Sequence, residues 1–280
     1  MNYGRTSLRR RAKQLDARGT RIRHKIGVIL GKLLLIGIIV GGCATVSFGV
    51  GALKGILASA PDISEVDVIP TGFSTKVLAA DGSETAKLVA AGSNRQYVTI
   101  DQIPENLQHA VVAIEDERFY DHNGIDLKGI VRALVADVRT RDFSQGASTL
   151  TQQLIKNNVL SEQWANENDS NISKMEKMER QVQRKIQEQY LAIELEKKVN
   201  DKNWILENYL NSINLGSNTL GVQAAAQRYF GKDVSKLTLS ECAVIAGITK
   251  NPAGYNPILH PKENAKRRKN VLDAMKKQGY

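Results

Sequence analysis

The segment Leu33 to Leu53, LLLIGIIVGGCATVSFGVGAL, contains no charged side chain. A run of about 20 apolar residues wound as a helix matches the hydrocarbon thickness of a bilayer, and a helix satisfies its own backbone groups where no water is available. Residues 33–53 are therefore expected to be a transmembrane helix. The tail before it, 1–32, holds ten Lys or Arg residues against the single acid Asp16. Positive charge flanking the N-terminal side of a span keeps that side in the cytoplasm, which sends everything after Lys54 outside. A cleaved signal peptide would need a shorter charged region, and a lipoprotein site at Val40-Gly41-Gly42-Cys43 would need the apolar run to end there. Gly37 and Gly41 form a small-xxx-small pair of the kind that lets two spans approach closely.

The anchor also explains the net charge. The chain carries 39 basic and 29 acidic residues, a formal charge of +10. Nine of those ten charges lie in 1–32, so the remainder is nearly neutral, with 29 basic against 28 acidic residues. A general nucleic-acid footprint is absent, and no nucleic-acid partner is expected. The two cysteines, Cys43 in the span and Cys242 in an apolar run, do not suit a disulfide, and four scattered histidines without HExxH make no zinc pattern.

Beyond the span, 54–97 reads as a linker and lead-in containing a β-hairpin: Ser74 to Ala79 and Thr85 to Val89 flank Asp81-Gly82. From Val98 to Tyr280 the pattern is mainly helical. Pro104 opens one helix with Leu107, Ala110, Val111 and Ile114 at helical spacing. A second, starting near Asp126, is expected to bury Leu127, Ile130, Val131, Leu134, Val135 and Val138. Ile205, Tyr209 and Ile213 recur every four residues, and Thr238-Leu239-Ser240-Glu241 is a capping box. The polar stretch Ser161 to Ser173 reads as a mobile loop.

Three segments carry chemistry. In IEDERFYDHNG, Glu115 follows the apolar stripe of its helix, at an edge where a carboxylate can be half buried and raised toward a base's working range. An acid cluster at a helix end is more often solvated surface. In GASTLTQQLIK, Thr149, Gln152, Gln153 and Lys156 share a helical face rich in donors, suited to sugar hydroxyls and a phosphate, with an ordinary amphipathic helix as the plainer reading. In RQVQRKIQE, Arg180, Arg184 and Glu188 step by four along one face. Burial beside two arginines would keep Glu188 ionised, fitting an electrostatic or metal-binding role; a helix salt bridge is the alternative.

Taken together, EDERFYDHNG, GASTLTQQLIKN, RKIQEQYLAIELE, ILENYLNSINLGSNTLGVQAAAQRYFGK and LSECAVIAGITKNPAGYNP resemble, in order, the five motifs of glycosyltransferase family 51. That family comprises peptidoglycan glycosyltransferases, either monofunctional or as modules of class A penicillin-binding proteins, and the likeness covers about 98–269. The resemblance implies a lysozyme-like helical domain with a small membrane-dipping lobe, expected between Leu134 and Phe143 and in the loop after Lys156. It implies polymerisation of glycan from lipid II. Glu115 would take the proton from the 4-hydroxyl of the acceptor N-acetylglucosamine. The oxygen would attack the anomeric carbon of the donor N-acetylmuramic acid with inversion, and lipid pyrophosphate would leave. Lys156, Arg180 and Arg184 would meet the pyrophosphate. Glu188 would assist departure directly or by holding a divalent cation, with Mg²⁺ the expected ion because it bridges phosphates through one or two carboxylates. Ser148, Gln152, Gln153, Asn211 and Lys250 fall in the same motifs as substrate contacts, though Asn211 and Gly216 also suit structural roles.

The rivals are a lysozyme-like hydrolase or lytic transglycosylase, which would need little cationic lining, and a non-catalytic scaffold for other wall-synthesis proteins, for which either glutamate would be dispensable. No Ser-x-x-Lys or Lys-Thr-Gly occurs, so penicillin-type acyl transfer is not expected of these residues; the long lead-in leans toward the bifunctional kind of relative.

Overall fold

The structure, a computed structural model, describes residues 4–15, 18–64, 68–88, 94–140, 146–165 and 172–280. Two compact units emerge, Met1–Ser59 and Ala60–Tyr280. The first consists of α1 (Arg5–Leu15) and α2 (Arg18–Ala58). Within α2, Ile22–Ala58 is long and apolar enough to cross a membrane. The expected span 33–53 sits inside it, and the helix continues through Lys54. Its apolar side chains face outward, Leu34 being 68% and Phe48 80% exposed, as a lipid-facing surface requires. Thr45 donates its hydroxyl to Gly41 O (2.8 Å), so that polar side group is satisfied inside the helix.

The second unit begins with an antiparallel hairpin, β1 (Thr75–Leu78) and β2 (Glu84–Leu88), in register Thr75↔Leu88 with an irregularity after Val77. The expected turn forms at Asp81-Gly82: Gly82 takes φ 82°, and Asp81 Oδ1 accepts from Ser83 N–H (2.9 Å). The strand end expected at Val89 lies outside the described residues. Helices follow: α3 (Glu105–Glu115), α4 (Leu127–Thr140), α5 (Leu150–Asn158), α6 (Lys174–Val199), α7 (Lys202–Ser212), α8 (Val222–Phe230), α9 (Leu239–Ile248) and α10 (Pro261–Gln278). The unit is mainly α, as its periodicity predicts.

Two helix groups organise it. Helices α3, α9 and α10 pack on one another, α5 packs on α6 and α7, and α8 joins the groups through α7 and α9. Leu107, Ala110 and Val111 of α3 and Ile205 and Tyr209 of α7 are buried as their spacing predicts. The capping box forms: Thr238 Oγ1 accepts from Glu241 N–H, and Glu241 Oε2 accepts from Thr238 N–H (2.8 Å). That hydrogen bonding allows α9, apolar all round, to start cleanly inside the core.

The outward face of α4 corrects the sequence reading. Leu127, Val131, Leu134 and Val135 are 65%, 60%, 62% and 45% exposed. Periodicity identified two unlike faces, but here it is Gly129 and Ala133 that turn inward. The side chain of Val138, Phe143 and the loop residues 166–171 lie outside the described residues. Ser161–Ala165 form a turn, and Ser173 caps α6 by accepting from Glu176 N–H (3.1 Å).

Candidate active site

Glu115 is the last residue of α3, at the seam between the two helix groups. Its side chain is 13% exposed. Oε1 accepts from the Thr249 hydroxyl (2.6 Å), beyond the end of α9, and lies 3.8 Å from Nη2 of Arg267 on α10. Oε2 accepts from Nε2 of Gln153 on α5 (3.1 Å). The Gln153 amide is in turn oriented by Tyr209 of α7, whose hydroxyl donates to Gln153 Oε1 (3.1 Å). Burial, then the negative charges of Glu115 and Asp116, push the Tyr209 phenol well above its ordinary value, so it remains a donor.

The neighbouring Asp116 holds the other helix group in place. Its carboxylate accepts from Leu150 N–H at the start of α5 (2.9 Å) and is 3.0 Å from His122 Nε2. The Thr149 hydroxyl donates to Gly124 O (2.7 Å) while capping α5. Gly124 itself sits at φ 87° with Ala192 O only 2.5 Å from where a Cβ would stand, so a larger residue would push this turn off α6.

Glu188 is 2% exposed. A buried carboxylate needs compensation, and it has two cations: Arg184 Nη1 contacts Oε1, and Lys185 Nζ lies 3.1 Å from Oε2. Lys185 also donates to Ser148 Oγ (2.7 Å) and Gln152 Oε1 (2.9 Å), linking α6 to the entry of α5. The expected flanking by two arginines is therefore corrected to one arginine and one lysine. Arg180 turns the other way, to Glu176 Oε1 (2.8 Å). Each four-residue step rotates about 400°, roughly 40° past a full circle, so over the eight residues between Arg180 and Glu188 the stripe drifts by about 80°, enough to leave the cleft.

One cavity of about 590 Å³ gathers Glu115, Ser148, Gln152, Gln153, Lys156, Arg184, Glu188 and Lys250, together with Ile114, Gly146, Lys185, Thr249 and Arg267. Arg180 and Asn211 are not among its lining. Asn211 is 1% exposed and grips the chain at Val98, accepting from its N–H (3.0 Å) and donating to its carbonyl (2.8 Å). It thus pins the lead-in to α7, the structural alternative of the two. Gly216, at φ 79°, has Pro252 O 2.6 Å from the place of a Cβ, also a structural demand.

Sequence reasoning does not single out Lys185, Thr249 or Arg267, and it marks Tyr209 only as a core position. The first two lie inside the motif strings, and Arg267 lies in a basic helical stretch where nothing distinguishes it from its neighbours. Five cations and two carboxylates line the cavity, a surplus that suits a polyanionic ligand group. A resident metal ion fits poorly. Both Glu188 oxygens already face cations, and no group of three His, Cys, Asp or Glu side chains converges among the described residues.

Comparison with known proteins places this architecture. Residues 81–276 match the family model described as transglycosylase. Penicillin-binding protein 1A/1B of Bacillus subtilis (strain 168) is 38% identical over 249 residues, covering 89% of this chain and 24% of that protein. Penicillin-binding protein 1A of Aquifex aeolicus (strain VF5) is 46% identical over 186 residues, covering 66% and 23%. A solved structure of penicillin-binding protein 1A from Haemophilus influenzae aligns with a TM-score of 0.37 and 25% identity over 74% of this chain and 18% of that one. The chain spans about a quarter of the length of these curated relatives. With the family model covering more than half of it, the chain belongs to the transglycosylase family, glycosyltransferase family 51.

Proposed function

We propose that this domain is a peptidoglycan glycosyltransferase that extends lipid-linked glycan chains from lipid II. The observation that carries the reading is the single cleft with a lone, hydrogen-bonded carboxylate on one wall, Glu115, and a cation cluster around Glu188 on the other. Glu115 serves as general base toward the acceptor 4-hydroxyl. As the new C–O bond forms at the donor's anomeric carbon, with inversion, the bond to pyrophosphate breaks and its electron pair leaves with the phosphate. Lys156, Arg184 and Lys185 neutralise that charge, which is mainly an electrostatic and positioning task. Glu188 holds Arg184 and Lys185 in place for it, and Ser148, Gln152 and Lys250 offer contacts to the sugars or phosphates. The cation surplus supports synthesis over hydrolysis, since finished glycan carries no pyrophosphate to neutralise.

Mg²⁺ enters this proposal with the substrate's pyrophosphate, not as an ion resident in the protein, and no step depends on it. The α2 helix anchors the domain, with the basic tail in the cytoplasm and the catalytic unit outside. The exposed apolar face of α4 touches the bilayer from which the lipid substrate is drawn, and other wall-synthesis proteins are the partners expected there. The test is polymer formation on a gel from labelled lipid II by the purified protein. Wild type should make polymer and Glu115→Gln should make at least 100-fold less, on the order of a lost general base. Equal activity of the two would overturn the reading.

A further inference from the structure

The Thr249 hydroxyl has two acceptors and one proton. It lies 2.6 Å from Glu115 Oε1 and 2.8 Å from the backbone oxygen of Ala246, one turn back in α9. A hydroxyl donates once but also accepts, so only one of these bonds is made at a time, and rotation about Cβ–Oγ exchanges them. The other oxygen of Glu115 has no such partner. Gln153 presents its amide N–H to Oε2, held that way round by the Tyr209 hydroxyl, and an amide N–H cannot accept a proton from a carboxylic acid.

From this we infer that Thr249 is a positioning residue for the base, and that Oε1 is the oxygen that takes the acceptor's proton. Before reaction, Thr249 donates to the Oε1 carboxylate. As the acceptor hydroxyl gives its proton to Oε1, the Thr249 proton turns to Ala246 O, and Oγ1 accepts from the new acid O–H. Both protonation states of Glu115 are then fully hydrogen-bonded, while Gln153 serves Oε2 in each. The proton afterwards leaves Oε1 to water, which returns Thr249 to its first orientation. The inference rests on Glu115 being the base.

Other charges around Glu115 do not duplicate this role. Arg267 of α10 is 3.8 Å away and, like Lys250, Lys156, Arg184 and Lys185 on the cavity walls, can only donate. Glu188 across the cavity and Asp116 beside Glu115 in the chain are anions whose contacts are with Lys185, Arg184, His122 and Leu150 N–H.

The experiment compares Thr249→Val, Thr249→Ala and Thr249→Ser with wild type and Glu115→Gln, measuring kcat and KM for lipid II turnover and thermal unfolding of each. Thr249→Val and Thr249→Ala should lower kcat roughly ten-fold, the scale of one hydrogen bond to a charged group, and leave KM within about two-fold of wild type, because Thr249 acts on the base and not on substrate binding. Thr249→Ser, which keeps the rotor, should restore the rate. If the valine and alanine variants fold and keep the wild-type kcat, or if serine fails to rescue, the inference is wrong. An inactive Glu115→Gln beside a silent Thr249→Val would refute only the role of Thr249, whereas an active Glu115→Gln would refute the base itself.

Discussion

Tyr209 makes the energetics of single residues concrete. It is fully buried, and a buried hydroxyl without a partner costs about 1 to 3 kcal/mol. Its partner is Gln153 Oε1, and that choice decides which end of the amide faces Glu115. Tyr209→Phe frees the amide to turn its oxygen toward the carboxylate, where two acceptors would repel. We expect kcat to fall about five-fold and stability by about 1 kcal/mol, with KM unchanged; a folded Tyr209→Phe enzyme with wild-type kcat would show that the phenol does not orient Gln153. From sequence, Tyr209 is legible as a core position by its four-residue spacing from Ile205 and Ile213. Its polar end is not, because periodicity reports which way a side chain points and says nothing about what its last atom meets. The same limit hid Lys185: one residue along from Arg184, it lies off the four-residue stripe, and only packing of α6 on α5 brings its ammonium to Ser148 and Gln152.

Helix α4 shows the same limit at the scale of an element. Its start near Asp126 and its two unlike faces were legible, but periodicity cannot tell which medium each face meets, and the apolar face turned out to be the exposed one. What holds the helix is its entry. Asp126 Oδ1 accepts from Gly129 N–H (2.9 Å) and Arg118 Nε (3.2 Å), and Oδ2 accepts from Arg118 Nη2 (2.5 Å). A Cβ on Gly129 would stand 2.3 Å from Asp126 Oδ2, so this grip requires glycine there. Burial alone would raise the Asp126 carboxyl, but the Arg118 and Gly129 hydrogen bonds outweigh it and hold it below its ordinary 3.8. A carboxyl depressed on folding stabilises fully above its unfolded value and loses that contribution as pH falls through the folded one. Asp126→Asn should therefore cost about 1 to 3 kcal/mol in urea unfolding at pH 7, and the gap from wild type should narrow only below about pH 4. A gap independent of pH would mean that the charge of Asp126 contributes nothing.

For the whole molecule, charge and hydropathy separate cleanly along the chain. Residues 1–58 carry the whole net charge of +10 and, among the described residues, the one helix long and apolar enough to span a membrane, while the unit Ala60–Tyr280 has a buried core of its own, from Val68 to Met275. A unit with its own core is expected to fold alone, so a variant lacking 1–59 should unfold in one cooperative transition. On the membrane contact proposed for α4, its attachment then depends on that helix alone. Four outward apolar side chains give a weak, reversible hold on a bilayer, far short of a spanning helix. When both attachments are present, the second acts at the high effective concentration set by the first. The variant without 1–59 should therefore sediment only partially with lipid vesicles, and adding Val131→Glu and Leu134→Glu should release it. Because those two side chains are exposed, the double substitution should leave thermal unfolding within about 0.5 kcal/mol of the parent. With 1–59 present, the same pair should leave vesicle association intact, since α2 suffices, yet slow turnover of a bilayer-borne substrate more than of the same substrate in detergent. Equal slowing in both media would place the defect in the cleft and remove α4 from the membrane surface.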